Sequence, residues 1–136
     1  MDIRTVDGRP VVPDHSATAM AWYLIGRNEM QAITNGTYLE YVSEAQIEPG
    51  VKLERHYHNN YEFFYVLHGA GIMEIEGEEE PVARGSLVTI GPNQVHSIWS
   101  TAPDEAIRLL CVGLSLSEDG LSTYHAAEQQ HPVGGE

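Results

Sequence analysis

His56 and His58 stand two residues apart in a segment bounded by Gly50 and Gly69, and this i, i+2 spacing constrains the chain more than any other feature. Successive side chains of a strand alternate between its faces, so an extended backbone here points both imidazoles to one side, where they can grip one ion. Glu62 sits on the next extended run, Tyr61 to Leu67. Pairing of the two runs brings a carboxylate beside the two rings. Further on come Gly85, a strand-like Ser86 to Ile90, the turn Gly91-Pro92-Asn93, and then Gln94-Val95-His96, which makes His96 the natural fourth donor. A mixed shell of three nitrogens and one oxygen suits a divalent transition metal and leaves one or two positions of a six-coordinate ion exchangeable. Strand parity agrees, because an inward Glu62 takes Phe64 and Val66 inward with it, and a carboxylate among such neighbours is costly unless paired or metal-bound.

Around these residues the chain reads as a series of short strands separated by Gly, Pro and Asn: about 20–25, 38–47, 51–58, 61–67, 69–76, 80–83, 86–90, 94–100 and 106–114. Such spacing predicts an all-β barrel or sandwich. Helix signals are nearly absent. Pro10 and Pro13 bracket Val11-Val12 in an extended N-terminal arm over residues 1–18, a barrel domain is expected over 19–116, and residues 117–136 read as a loose tail or terminal turn. Glu78-Glu79-Glu80 after Gly77 reads as a solvated hairpin tip.

The spacing resembles the cupin superfamily, whose first motif, GX5HXHX3EX6G, is matched at every specified position from Gly50 to Gly69. Its second, GX5PXGX2HX3N, is matched at Gly85 and His96. Gly91 stands in place of Pro with Pro92 one residue later, Asn93 replaces the second Gly, and Ser100 replaces the final Asn. Asn is the non-glycine residue that best tolerates a left-handed backbone, so Asn93 can make the same turn. The resemblance covers residues 38–114, and the 15 residues between Gly69 and Gly85 match the short form of small microbial cupins. It implies a single double-stranded β-helix, a jelly-roll-like barrel, holding one metal ion through His56, His58, Glu62 and His96. Fe or Mn is the first expectation, and Ni, Zn or Co also suits this donor set.

Parity places Phe64, Val66, Met73, Ile75, Val88, Ile90 and Ile98 in the interior, with Gln94 near the mouth; of these, Phe64, Val66, Met73, Ile75, Gln94 and Ile98 are the expected substrate pocket. The lining is mostly apolar and suits a small, partly apolar molecule. Tyr41 and Ser43 face inward if Ala45 and Ile47 do, which makes Tyr41 the candidate catalytic acid or base. Small cupin lyases that cleave a sulfonium carboxylate are similar in length and ligands but place a Tyr where this chain has Phe64. Cys111 reads as a buried strand thiol, and Trp22 and Trp99 as core or contact residues. His68, by parity, and His15, His125 and His131, near the chain ends, are expected outside the shell.

A net charge of −13 disfavours nucleic acid as a partner. One cysteine excludes an internal disulfide, and neither a signal peptide nor a membrane span is recognisable, so a reducing, cytoplasmic setting is expected. Outward Phe63, Tyr65 and Leu67 point to a homodimer. The expected activity is that of a mononuclear metal-dependent enzyme acting on a small molecule, in the manner of a dioxygenase. A redox-neutral isomerase or lyase, and a non-catalytic module binding a small ligand or metal, are the alternatives.

Overall fold

In the computed structural model, which describes residues 1–117 and 122–129, two antiparallel sheets face each other across one core. The strands are β1 (Val12–Asp14), β2 (Ala19–Ile25), β3 (Leu39–Ile47), β4 (His56–His58), β5 (Tyr61–His68), β6 (Ala70–Ile75), β7 (Glu78–Ala83), β8 (Leu87–Ile90), β9 (His96–Ser100), β10 (Ile107–Leu114) and β11 (Tyr124–Ala126). The six-stranded sheet runs β1-β2-β3-β10-β5-β8 and the five-stranded sheet β11-β4-β9-β6-β7. From β4 to β6 and again from β8 to β10 the chain passes back and forth between the sheets, the jelly-roll connectivity expected from the sequence.

Alternation drives the burial. Along β10, Ile107, Leu109, Cys111 and Gly113 are buried while Arg108, Leu110, Val112 and Leu114 are only partly so. Ile47, Leu109, Cys111, Phe64 and Val66 from one sheet meet Met73 and Ile98 from the other. The expected strands are present, with boundaries moved by a few residues. The longest change is at 51–58, where only His56–His58 is a strand and Lys52 forms a lone bridge to Trp99.

Three elements lie where no packing period was readable. The N-terminal segment supplies β1, which pairs with β2. The one α-helix among the described residues, α1 (Arg27–Thr34), follows β2; it buries Met30 alone and ends at Asn35, whose φ of 57° is left-handed. Residues 124–126, expected in a loose tail, instead add β11 to β4, with Tyr124 opposite His58 and Ala126 opposite His56. His131 lies outside the described residues. The three glutamates at 78–80 are exposed as expected but open β7, where with Pro81 they guard a sheet edge. No helix among the described residues is long and apolar enough to cross a membrane.

Close strand contact requires glycine at Gly71, where a Cβ would lie 2.1 Å from the Trp99 carbonyl oxygen. Gly71→Ala is therefore expected to destabilise the fold by about 1–3 kcal/mol, the usual penalty for overpacking. Thermal unfolding should show a lowered Tm for this variant and little change for Gly8→Ala, whose added carbon would meet nothing closer than 3.5 Å.

Candidate metal centre

β4 projects His56 and His58 from alternate residues, and both are buried. Register places His96 on β9 directly opposite His56. Glu62 enters from β5 in the facing sheet, so the cluster sits where the sheets approach one another. One donor atom from each of the four residues lies within 4.8 Å of the others. The ring centroids of His56 and His96 are 4.2 Å apart, and those of His58 and His96 5.1 Å. Glu62 Oε1 is 3.2 Å from His58 Nε2 and 3.5 Å from His96 Nε2.

Hydrogen bonds behind the rings select the nitrogen that faces inward. His56 Nδ1 donates to the Glu54 carbonyl at 2.6 Å, and His96 Nδ1 donates to the Gln94 carbonyl at 2.8 Å. Each ring then directs an unprotonated Nε2 to the common centre. His56 Nε2, His96 Nε2, His58 Nε2 and Glu62 Oε1 are buried without a well-formed hydrogen bond. Buried polar atoms ordinarily find partners. Four that converge unsatisfied fit a bound cation, so these residues could hold a divalent metal.

Charge reinforces the arrangement. Burial, with His96 and His15 adding to it, pushes His56 down to about 2, so this ring is a neutral donor. Burial opposes charge on both Glu62 and His58, but their mutual contact outweighs it. The Glu62 carboxyl is held well below its usual range and His58 is raised.

The surrounding turns hold the cluster. Asn93 adopts a φ of 62°, the left-handed turn expected of it, and its backbone N–H donates to the His58 carbonyl at 2.8 Å. Asn60, in the β4–β5 turn between His58 and Glu62, is buried and donates to Glu40 at 2.8 Å; Glu40 also pairs with Arg27 at 3.2 Å.

A cavity of about 280 Å³ adjoins the cluster. Its lining includes His58, Glu62, Tyr41, Ser43, Phe64 and Cys111, together with Asp14, His15, Tyr23, Arg27 and Tyr124. Tyr41 donates its hydroxyl proton to Glu62 Oε2, and burial, with the Glu62 charge, keeps the phenol well above its usual range and so neutral. Tyr23 donates to Asp14 Oδ2 at 2.7 Å. His15 stacks on His56 at 4.2 Å, and Tyr124 on His56 at 5.0 Å.

Of the expected pocket residues, Phe64 lines this cavity and the others do not. Val66 and Ile98 are fully buried core. They point inward as parity requires, but two residues advance a strand by about 7 Å, which carries them past the cavity. Met73, Ile75 and Val88 line a separate cavity of about 320 Å³ between β6, β7 and β8. Gln94 accepts a hydrogen bond from the Gly91 N–H at 2.7 Å and braces the turn before His96. Asp14, His15, Tyr23, Arg27 and Tyr124 were not anticipated, and only Tyr23, an inward position of β2, was open to a parity argument.

The Cupin domain family matches residues 43–113, more than half of the chain. The chain belongs to the cupin family. No curated protein matches the sequence. Among solved structures, a predicted oxalate decarboxylase from Thermotoga maritima is similar with a TM-score of 0.72 and 18% identity, over 85% of this chain and 100% of that one. A cupin 2 conserved barrel domain protein from Salinispora arenicola gives 0.69 and 20%, over 85% and 90%. The polyketide cyclase RemF from Streptomyces resistomycificus gives 0.71 and 18%, over 96% and 87%. At these identities the similarity extends to the fold alone.

His58→Ala should lower the metal content of protein loaded with one equivalent of Zn(II) at least about tenfold, read by elemental analysis after desalting. Full stoichiometry in that variant would remove His58 from the shell. Glu62→Gln, which deletes the anionic donor, should weaken binding while circular dichroism stays unchanged.

Proposed function

We propose that this chain is a mononuclear metal-dependent cupin enzyme acting on a small, partly apolar organic molecule that enters through the cavity beside His58 and Glu62. The reading rests on one observation: these two members of the cluster also line the cavity, so the exchangeable side of a bound ion would face it. His56, His58, Glu62 and His96 would hold the ion, with Fe or Mn first and Ni, Zn or Co as alternatives. When bound, the ion supplies a Lewis-acidic or redox centre.

The chain's own residues do the rest. Tyr41, by donating to Glu62 Oε2, leaves Oε1 for the ion and fixes the carboxylate's rotation. Ala19, Ala21, Ala45, Ile47, Leu53 and Leu109 form an apolar floor that excludes water from the reacting end. Asp14, His15, Tyr23, Arg27 and Tyr124 can orient the polar end of a ligand.

Oxygen-dependent turnover is the first reaction type proposed. A redox-neutral isomerase or lyase is favoured by one particular contact, the Tyr23–Asp14 hydrogen bond, which sets a phenol and a carboxylate in the cavity where a proton can be held and moved. Tyr41 would serve as a catalytic acid only on leaving Glu62, so it is assigned a positioning role.

The test is a panel of small keto, hydroxy and aromatic acids offered to protein loaded separately with Fe(II), Mn(II), Ni(II) and Zn(II). Oxygen uptake confined to the Fe(II) or Mn(II) form supports the oxygenase reading, and anaerobic turnover with Zn(II) or Ni(II) supports the redox-neutral one. Ligand-induced thermal shifts without turnover under any condition would overturn the enzyme reading and leave a binding module.

A further inference from the structure

Among the described residues, six buried polar side-chain atoms have no well-formed hydrogen bond. Four are the donors of the cluster. The other two are His58 Nδ1 and Asn60 Oδ1, one on a ring and one on an amide two residues further along, in the β4–β5 turn. Each lacks what the other offers, because a ring N–H donates and an amide oxygen only accepts. His58 is also the one ring of the three whose rear nitrogen has no backbone carbonyl, whereas His56 and His96 each use the carbonyl two residues before them, those of Glu54 and Gln94. Glu40 decides which way the Asn60 amide points. This buried glutamate takes the Asn60 Nδ2–H on Oε1 at 2.8 Å, and on Oε2 it holds Arg27 Nε at 3.2 Å and the Ser122 hydroxyl at 2.8 Å. A carboxylate paired with a guanidinium accepts and cannot donate, so the amide must show it the NH2 group and turn its oxygen the other way.

We infer that Asn60 is a positioning residue for the metal centre: its oxygen accepts the His58 Nδ1 proton and fixes the ring in the tautomer whose Nε2 faces Glu62. His58 Nε2 lies 3.2 Å from Glu62 Oε1, so Nδ1 is the nitrogen left to carry the proton when an ion takes Nε2. Against burial, Glu62 first and Asn60 after it favour a proton on this ring. Three rings are thus aimed by three acceptors, two of them backbone carbonyls and one an amide oxygen held in place by a buried carboxylate. Only the third can be changed by substitution without moving the chain. The inference rests on the cluster as a metal site and is independent of the reaction.

Nitrogen-15 NMR of the zinc-loaded full chain reads the His58 ring directly. The expected result is zinc on Nε2 and a proton on Nδ1 that exchanges slowly with water; zinc on Nδ1, or an Nδ1 proton lost to exchange as at the exposed His68, would overturn the inference. Asn60→Ala should weaken zinc binding about 10–100-fold in competition with a chelator and abolish the slowly exchanging Nδ1 signal. Asn59→Ala, one residue earlier in the same turn, should do neither. Exchanging the two groups, Asn60→Asp together with Glu40→Gln, keeps the charge, gives the amide N–H to position 40 and the accepting oxygen to position 60, and should recover most of the lost affinity. A purely structural role for Asn60 predicts no such rescue. The wild-type spectrum keeps the test decisive where a variant does not fold. A wild-type chain that retains no zinc would overturn the metal centre and this inference with it. Zinc held as tightly by Asn60→Ala as by the wild type, an equal loss in Asn59→Ala, or a swapped pair no better than Asn60→Ala would overturn this inference alone.

Discussion

Four donor atoms, three from imidazoles and one from a carboxylate, converge in a buried place where none has a well-formed hydrogen bond. In water such atoms would be solvated, and inside a protein each unsatisfied one costs about 1–3 kcal/mol. The fold sustains the cluster because both sheets contribute to it. β4 and β9 fix the three rings by register and by the backbone carbonyls behind His56 and His96, and β5 delivers the carboxylate across the core. A divalent cation would satisfy all four at once.

That constraint organises the cavity. His58 and Glu62 are shared between cluster and cavity, and Tyr41 ties the carboxylate to β3. The floor is made of small and aliphatic side chains, most of them from the long strands, whereas the polar rim comes from Asp14 at the end of β1, His15 just after it, Arg27 at the start of α1, and Tyr124 of β11. Barrel strands thus carry the cluster while the peripheral segments shape the cavity beside it. Differences between reactions on one scaffold are expected to lie in such segments.

The cluster was legible in the sequence because strand parity is local: His56 and His58 share a face whatever the rest of the chain does. The turn at Asn93 was legible for a similar reason, since few side chains tolerate a left-handed backbone. The lining of the cavity beside the cluster was not, because parity says which side a residue faces and not how far along the barrel it lies. Val66 and Ile98 are inward yet pass the cavity, and Met73 and Ile75 line another. His15 in the turn after β1 and Tyr124 on β11 belong to segments whose three-residue strands show no period, and only pairing with β2 and β4 brings them to the cluster. The eight-residue α1 escaped notice likewise, being too short for a helical stripe and burying only Met30.

X-ray absorption at the zinc edge of the Zn(II)-loaded chain tests the central claim most directly. The account predicts one ion per chain with imidazole scattering from three histidines and a carboxylate oxygen, at metal–ligand distances of about 2.0–2.2 Å. A shell composed of water and carboxylate oxygens with no histidine signature, or a chain that retains no zinc, would contradict it.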